Sequence, residues 1–373
     1  MAAEPQMSPE KVRALWQKLL TKGLQHGVSD LYLTAGQPAF LRCEGKMMAL
    51  AVQDDTDEVE EDFTAGLPQD DFMQGLAAML LSPLQRQQLR QGQALDFSLT
   101  WRERRLRGNF YLQQGHMALV LRFLPQRVPS LREIHAPRAL YALLEAGRGL
   151  ILVTGSTGSG KTTTLAAFLQ AVNERRPAHI LTLEDPIEYV FQPDRCFISQ
   201  RELGRDFSSF PEALRSALRE MPDILLVGEI RDRETMTTAL QAAETGLLVL
   251  GTLHTRGAAE AVRRIENFYP PEEQAVVRAE AAEVLCAICA QQLLPAAAGG
   301  RVPLVEVLLR EPAVCSLIRQ GKYSQLEAAM MSHQQQGMQT REIALQKLYR
   351  DGLITAAVYE EERQKFRGRG GSI

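Results

Sequence analysis

The chain has 373 residues, of which 45% are hydrophobic and 23% charged, and its formal net charge at pH 7 is −3. This size and composition predict a globular protein of two domains with a sizeable core. The small net charge excludes bulk electrostatic attraction to nucleic acid or to anionic lipid. No apolar stretch approaches the roughly 20 residues of a membrane span, and no signal-peptide core is recognisable. Five cysteines at irregular spacing argue against a disulfide framework, so we expect a cytosolic protein.

Residues 1–127 carry the patterns of a mixed α+β domain. The predicted elements are an amphipathic helix over Pro9–Gly23, a strand over 31–33, a helix over Ser82–Gln91, and strands over Arg105–Gln113 and Ala118–Leu124. Between them, residues 54–62 hold seven acidic side chains in nine. A cation site or a dock for a basic partner is one interpretation of this run. A solvated surface loop is the interpretation that acidic runs generally favour.

Pro125, Pro129 and Pro137 punctuate the stretch around residues 128–136, which is predicted to be a linker. Beyond it, residues 137–373 alternate strand and helix patterns, and this alternation predicts a parallel sheet built from βαβ units. The predicted strands are the continuously apolar runs at 149–154, 180–183, 224–227 and 247–253. Such runs are expected where helices cover both faces of a sheet. From about residue 306 to 365 the pattern is helical, and a flexible tail is predicted to follow.

A glycine-rich segment joins the first of these strands to the helix pattern that starts at residue 162. Its pattern, G-x-x-x-x-G-K-[ST], predicts a phosphate-binding loop in this strand–loop–helix context. Glycines let backbone N–H groups approach an anion closely, and the helix N-terminus adds positive dipole. Lys161 is expected to reach the β- and γ-phosphates of a nucleoside triphosphate, and the Thr162 hydroxyl to ligate Mg²⁺. The candidate nucleotide-binding residues are Gly155, Ser156, Thr157, Gly158, Ser159, Gly160, Lys161, Thr162 and Thr163.

Polar residues also follow three further predicted strands, at Glu184, Glu229 and His254. Because the carboxyl ends of parallel strands share one edge of a sheet, we expect all three beside the phosphate loop. Hydrolysis of a γ-phosphate needs a bound metal, a positioned water and positive charge, and carboxylates can serve the first two needs. Each acidic residue alone is also typical of a helix N-cap or a charged surface. The convergence of the polar strand ends therefore carries the prediction.

Longer stretches around these residues form a set of motifs. They are 29–38 (SDLYLTAGQP), 183–189 (LEDPIEY), 217–232 (ALREMPDILLVGEIRD), 243–246 (AETG), 251–255 (GTLHT), 291–295 (QQLLP) and 337–340 (GMQT). Together they resemble the secretion ATPase superfamily, and most closely the PilT-like motors of type IV pili. The resemblance runs almost from end to end of the chain.

The resemblance implies a PAS-like N-terminal α+β domain followed by a RecA-like P-loop ATPase domain with a C-terminal helical region. It implies ATP and Mg²⁺ as ligands and assembly as a homohexamer. The implied location is cytoplasmic, peripheral at the inner face of the cytoplasmic membrane. The implied partner is an inner-membrane platform protein at the pilus base, a paralogous motor is a further candidate partner, and no nucleic acid is expected.

The resemblance also implies roles for single residues. By matching motifs, Glu184 orients or deprotonates the attacking water, Glu229 acts through the metal and the water, and His254 senses the γ-phosphate. Family rings place arginines of the N-terminal domain at the nucleotide, and the matching positions are Arg107 and Arg122, on two adjacent predicted strands. Arginines paired in this way are equally expected as solvated face residues or as salt-bridge partners.

The chain departs from the family in three places. Leu247 stands where the family has the first histidine of its histidine box, while His254 is intact. The acidic run is longer than usual. The stretch Ala313–Gln320 matches the family's retraction motif but contains three replacements. These are Cys315, Ser316 and Gln320, in place of an arginine, an asparagine and a glutamate. The replacements bear on the coupling of hydrolysis to retraction rather than on hydrolysis itself.

The cysteines help to choose within the superfamily. Extension motors of pili and of type II secretion carry the four cysteines of a zinc knuckle, whereas this chain has a single C-x-x-C, Cys286 to Cys289, in a predicted helix over Ala281–Leu294. One such pair does not complete a tetrahedral thiolate site in one chain. We interpret these cysteines as small buried residues rather than redox or metal groups. This interpretation favours a retraction-type motor.

Three functions remain compatible with these motifs. The first is a hexameric ATP-hydrolysing motor that powers type IV pilus retraction and hence twitching motility. The second is the related ATPase of a type IV secretion system. The third is an accessory ring subunit with little turnover of its own, which the altered retraction motif keeps open. A nucleic-acid translocase would need a basic groove or an aromatic stacking platform, and aromatic residues make up only 6% of the chain.

Overall fold

The computed structural model describes residues 7–25, 28–43, 46–50, 70–102 and 104–367. The chain divides into two compact units, Met1–Gln126 and Arg127–Ile373. The acidic run at 54–62 lies outside the described residues, as does the predicted tail beyond residue 367. No helix in the described ranges is long and apolar enough to span a bilayer.

The first unit is an α+β domain in which helices pack on a six-stranded antiparallel sheet. Its helices are α1 (Pro9–Gln25), α2 (Asp70–Leu80) and α3 (Pro83–Arg90), and its strands are β1 (Asp30–Thr34), β2 (Phe40–Cys43), β3 (Lys46–Ala49), β4 (Leu95–Trp101), β5 (Arg104–Gln113) and β6 (His116–Phe123). The strand order across the sheet is β3-β2-β1-β6-β5-β4. In α1, the side chains of Val12, Leu15, Trp16 and Leu19 recur at helical spacing, and each is at most 5% exposed.

The second unit is built on a seven-stranded sheet with helices on both faces. Its strands are β7 (Gly149–Thr154), β8 (His179–Glu184), β9 (Phe197–Glu202), β10 (Ile224–Val227), β11 (Leu248–Leu253), β12 (Leu285–Pro295) and β13 (Arg301–Leu309). Its helices are α4 (Arg138–Ala142), α5 (Lys161–Asn173), α6 (Phe210–Ala217), α7 (Arg233–Glu244), α8 (Ala258–Glu266), α9 (Pro271–Val284), α10 (Pro312–Arg319), α11 (Leu326–Ser332), α12 (Arg341–Arg350) and α13 (Ala356–Arg367). The strand order is β13-β12-β7-β11-β10-β8-β9, and only the β12–β13 pair is antiparallel among these described strands.

Both faces of this sheet are buried. On β7, Leu150 and Leu152 belong to one core cluster, whereas Ile151 and Val153 belong to the cluster on the opposite face. All six residues of β7 are buried. The alternation follows from the strand period of two, and double burial explains why the run contains no polar residue before Thr154.

Two of the predicted elements were wrong. The helix predicted over Ala281–Leu294 ends as α9 at Val284, and the next residue begins β12. A short, continuously apolar run does not distinguish a buried strand from a buried helix, and no glycine or proline marks the change. The region predicted to be helical from about residue 306 is strand β13 as far as Leu309, and α10 starts only at Pro312.

The segment predicted to be a linker, residues 128–136, contains turns rather than regular structure. Leu131 in this segment is 2% exposed and packs into a core of the second unit. The segment is therefore attached to the second unit by apolar burial.

Candidate functional site

The phosphate loop joins β7 to α5. Gly155, Gly158 and Gly160 have φ angles of +149°, +76° and +87°, a region that side chains with a Cβ rarely adopt. Gly160 is the N-cap of α5, so the helix begins at Lys161. The loop thus combines a tight left-handed backbone with a helix N-terminus, as an anion site requires.

The Lys161 side chain folds back over this loop. Its Nζ donates to Gly155 O at 2.8 Å and to Ser156 O at 3.1 Å. Burial lowers the pKa of Lys161, while the charges of Glu229 and Glu188 act in the opposite direction. Phosphate oxygens are stronger acceptors for an ammonium group than carbonyls, so a bound phosphate can take over these contacts.

Buried hydroxyl groups without a partner cluster at this edge of the sheet. In the described part of the chain, the buried side-chain hydroxyls that make no hydrogen bond are those of Thr154, Ser159 and Thr255. Thr154 ends β7, Ser159 lies in the phosphate loop, and Thr255 lies just after β11. Buried polar groups in native proteins are normally satisfied, so these three donors fit a site completed by a polar ligand.

The Glu184 carboxyl, at the end of β8, is 6% exposed. Its Oε1 accepts from Thr182 Oγ1 at 2.7 Å and from Gln200 Nε2 at 3.2 Å. Burial raises the pKa of Glu184 to about 7, against the lowering effect of these two hydrogen bonds. A carboxyl with this pKa can exchange a proton near neutral pH, which is the property of a general base.

Glu229 and His254 form a second polar group on the neighbouring strand ends. His254 Nε2 lies 3.1 Å from Glu229 Oε1, and Arg231 Nη2 donates to Glu229 Oε2 at 2.7 Å. The hydrogen bond from Arg231 holds the pKa of Glu229 below its usual range, with help from His254. Near pH 7, Glu229 is therefore ionised, whereas Glu184 is about half protonated.

Backbone contacts hold these strand ends together. Gly228 N donates to Leu183 O at 2.8 Å, and a Cβ on Gly228 would lie 3.3 Å from Glu184 Cα. Thr252 Oγ1 in turn donates to Gly228 O at 2.6 Å. Gly228, just before Glu229, is thus fixed to the end of β8, and Thr252, two residues before His254, is fixed to Gly228. Strand β11 is in turn paired with β7 up to Thr154. The structure brings Glu184, Glu229 and His254 to the edge that carries the phosphate loop.

Sequence reasoning assigned no individual role to the residues that support this site, although Tyr189 and Gln291 lie in its motifs. They are Thr182 and Gln200, which bind Glu184; Tyr189, whose hydroxyl lies 3.1 Å from Thr163 Oγ1; and Gln291, whose amide contacts the loop. For Thr182 and Gln291 the available signal was a polar residue inside an apolar strand pattern, whereas Gln200 and Tyr189 offered no such signal. The partner of each one became evident only from the fold.

Mg²⁺ fits this donor set only together with a nucleotide. In the described ranges no group of three or more histidine, cysteine or acidic side chains could hold a metal. Thr162 offers a single hydroxyl, and Glu229 is already paired with Arg231 and His254. Mg²⁺ usually keeps several waters and takes one or two protein ligands plus phosphate oxygens, which is compatible with this arrangement.

Arg107 and Arg122 lie directly opposite each other on β5 and β6 of the first unit. Arg122 Nε donates to the buried Asp30 Oδ1 at 2.8 Å, and Arg107 Nη2 lies 3.8 Å from Asp96 Oδ2. Like charges facing each other across a sheet repel, and the two carboxylates offset that repulsion. Both arginines therefore have salt-bridge partners, and a role at the nucleotide stays a prediction.

The cysteines of the C-x-x-C are on strand β12, and all five cysteines of the chain are free thiols. Burial raises the pKa of Cys289 to about 12. A thiol that stays protonated is a poor metal ligand and a poor nucleophile. This environment supports the interpretation of Cys289 as a small buried residue.

The loop glycines differ in how much space surrounds them, which gives a matched test. A Cβ on Gly155 would lie 2.3 Å from Gln291 O, whereas nothing lies within 4 Å of a Cβ on Gly158. We expect Gly155→Ala to weaken nucleotide binding at least about tenfold more than Gly158→Ala, whose only cost is the left-handed backbone strain of about 1–2 kcal/mol. Titration with a fluorescent ADP analogue measures the affinity of each variant. Equal affinities for the two variants would contradict this account of the loop.

Known proteins resemble this chain over nearly its whole length. The family described as type II/IV secretion system protein matches residues 13–367. The uncharacterized protein YggR of Escherichia coli K12 is 44% identical over 339 residues, covering 91% of this chain and 99% of that protein. The type IV pilus retraction ATPase PilT of Pseudomonas aeruginosa is 39% identical over 351 residues, covering 93% and 97%.

A solved structure also matches the fold of this chain. The crystal structure of the pilus retraction motor PilT with bound ADP matches with a TM-score of 0.83 and 40% identity, covering 92% of this chain and 95% of that one. The likeness extends over both units of the chain. This chain therefore belongs to the type II/IV secretion system protein family and is a PilT-like ATPase that binds nucleotide.

Proposed function

We propose that this chain is a hexameric motor that hydrolyses ATP to power type IV pilus retraction. The observation that carries the proposal is the buried Glu184 carboxyl, with a pKa of about 7, at the same sheet edge as an intact phosphate loop. The similarity to a pilus retraction ATPase over more than nine-tenths of both chains supports the pilus as the system served.

In this proposal the residues from Gly155 to Thr163 bind the triphosphate through backbone N–H groups, and Lys161 contacts the β- and γ-phosphates. Glu184 accepts a proton from the attacking water. The water oxygen bonds to the γ-phosphorus as the bond from that phosphorus to the bridging oxygen breaks, which leaves ADP. Mg²⁺, held by Thr162 and assisted by Glu229, would neutralise charge on the phosphates. His254, paired with Glu229, is placed to respond to the γ-phosphate.

Assembly as a homohexamer and partners at the membrane complete the proposed motor. Arg107 and Arg122 supply positive charge to the nucleotide in the homohexamer, and their partial exposure supports this role. The first unit, an antiparallel sheet with helices, is assigned as a PAS-like domain of residues 1–127, followed by the linker over 128–136 and the RecA-like domain over 137–373. The protein works in the cytoplasm at the inner face of the membrane, on an inner-membrane platform protein, alongside a paralogous motor where one exists.

An accessory ring subunit is the second candidate, and helix α10 is the observation that favours it. This helix and its C-cap residue, Gln320, contain the altered retraction motif. Cys315 is buried in the core, while Ser316 and Gln320 are exposed and hydrogen-bonded to each other at 2.9 Å. The exposed face of α10 therefore lacks the asparagine and glutamate of the family motif. Such a subunit would bind nucleotide but turn over slowly.

The raised pKa of Glu184 predicts a pH dependence. Since a general base must be deprotonated, kcat/KM is expected to rise with pH through about 7. Thr182→Val removes a hydrogen bond that lowers this pKa, so the midpoint should move up by about one pH unit. The pH profile of steady-state ATP hydrolysis measures the midpoint.

The control is Thr238→Val, because the Thr238 hydroxyl bonds only to the backbone of α7 at Glu234 O. Its midpoint should match that of the wild type. A midpoint that is unchanged or lowered in Thr182→Val would contradict the role of Glu184.

The stability that Glu184 contributes depends on pH in the opposite direction. The contribution of the neutral Glu184 is fully present below about pH 4.5 and is lost as pH rises through about 7.

Pilus retraction tests the function directly. In the source bacterium without its own copy of the gene, the wild-type chain should restore twitching motility. Glu184→Gln should not, because removal of a general base typically costs about 10²–10⁴-fold in rate. Glu174→Gln, an exposed change at the end of α5, serves as the control. Normal twitching in the strain that lacks the gene would contradict the retraction motor and favour the accessory-ring candidate.

A further inference from the structure

Gln291 lies on β12 with its side chain buried against the phosphate loop. It is 6% exposed. Its Nε2 donates to Ser159 O at 2.7 Å, and its Oε1 accepts from Thr164 Oγ1 at 2.8 Å. A backbone carbonyl can only accept, so the amide must present its nitrogen to Ser159, and the Thr164 hydroxyl completes the other end. The side chain thus bridges the loop and the first turn of α5.

The bond to Ser159 O sets the direction of the next N–H group. The Ser159 carbonyl and the Gly160 N–H belong to one planar, trans peptide unit, in which the two groups point in opposite directions. Because Gln291 draws the carbonyl toward β12, the Gly160 N–H points away from β12. A phosphate loop binds its anion through backbone N–H groups. Reversal of the Ser159–Gly160 peptide would present a carbonyl oxygen to the anion in place of an N–H group.

The same residue explains the glycines at both ends of the loop. A Cβ on Gly160 would lie 2.8 Å from Gln291 Nε2, and a Cβ on Gly155 would lie 2.3 Å from Gln291 O. At both glycines the loop therefore lies too close to β12 for a residue with a Cβ. The side-chain amide of Gln291 lies against Gly160, and its backbone carbonyl lies against Gly155.

We propose that Gln291 is a positioning residue for nucleotide binding, whose buried amide orients the Ser159–Gly160 peptide so that the Gly160 N–H faces the phosphates. The proposal rests on the phosphate loop being the nucleotide site. Gln291 acts through the backbone of the loop and does not itself touch the nucleotide. Its neighbour Gln292 has a different partner, since Gln292 Nε2 donates to Glu362 Oε2 of α13 at 3.3 Å.

The test compares Gln291→Met with Gln292→Met, the same substitution one residue along the same strand. Methionine keeps the length of glutamine and removes both hydrogen-bonding groups. The dissociation constant of a fluorescent ADP analogue, the KM and kcat for ATP, and the unfolding midpoint without nucleotide are measured for each full-length variant. We expect Gln291→Met to bind at least about tenfold more weakly and to raise KM more than it lowers kcat, while Gln292→Met binds like the wild type.

Wild-type nucleotide affinity in Gln291→Met would overturn the proposal, as would an equal loss of affinity in both variants. Lys161→Ala is measured beside them. If Lys161→Ala also binds normally, the assignment of the loop as the nucleotide site fails, and the positioning role fails with it. If only Gln291→Met binds normally, the positioning role alone fails.

Thr164→Val provides a second variant in case Gln291→Met does not fold. It preserves side-chain shape and removes one of the two anchors that hold the amide. We expect it to weaken binding of the ADP analogue severalfold, because the amide is then held by Ser159 O alone. Unchanged affinity in folded Thr164→Val would overturn the proposal.

Discussion

The parallel pairing of β7, β11, β10 and β8 is the constraint on which the site depends. Their registers bring Thr154 opposite Leu253, and Val227 opposite both Gly251 and Leu183. All of these strands therefore end at one edge, where the chain turns into the phosphate loop and into the segments that carry the acidic residues and His254. A one-residue slip of any strand would turn its side chains to the other face. The apolar residues that bury both faces of the sheet thus also fix the geometry of the polar edge.

The two acidic residues at this edge are in opposite environments. Burial raises the pKa of Glu184, whereas the hydrogen bond from Arg231 lowers the pKa of Glu229. Pairs of carboxyls with opposite shifts are typical of sites that divide proton transfer from charge stabilisation. This contrast supports the proposal that Glu184 accepts a proton while Glu229 stays charged beside His254.

The sequence predicted the elements with strong local signals. The apolar run of β7, the glycines and the following helix identify the phosphate loop without any knowledge of the fold. The helix predicted over the C-x-x-C was wrong because β12 is continuously apolar and follows α9 without a breaking residue. Gln200 and Gln291 could not be assigned, because their partners Glu184 and Ser159 lie 16 and 132 residues away in the chain. Such contacts depend on the strand order of the sheet, which local patterns do not specify.

The proposed motor requires that a ring of this chain turns over ATP by itself. The most direct measurement is steady-state ATPase activity across a gel-filtration profile with the mass of each fraction determined by light scattering. We expect activity to coincide with the hexamer and to be absent from lighter fractions. A hexamer that binds ATP without hydrolysing it would contradict the motor and favour an accessory ring.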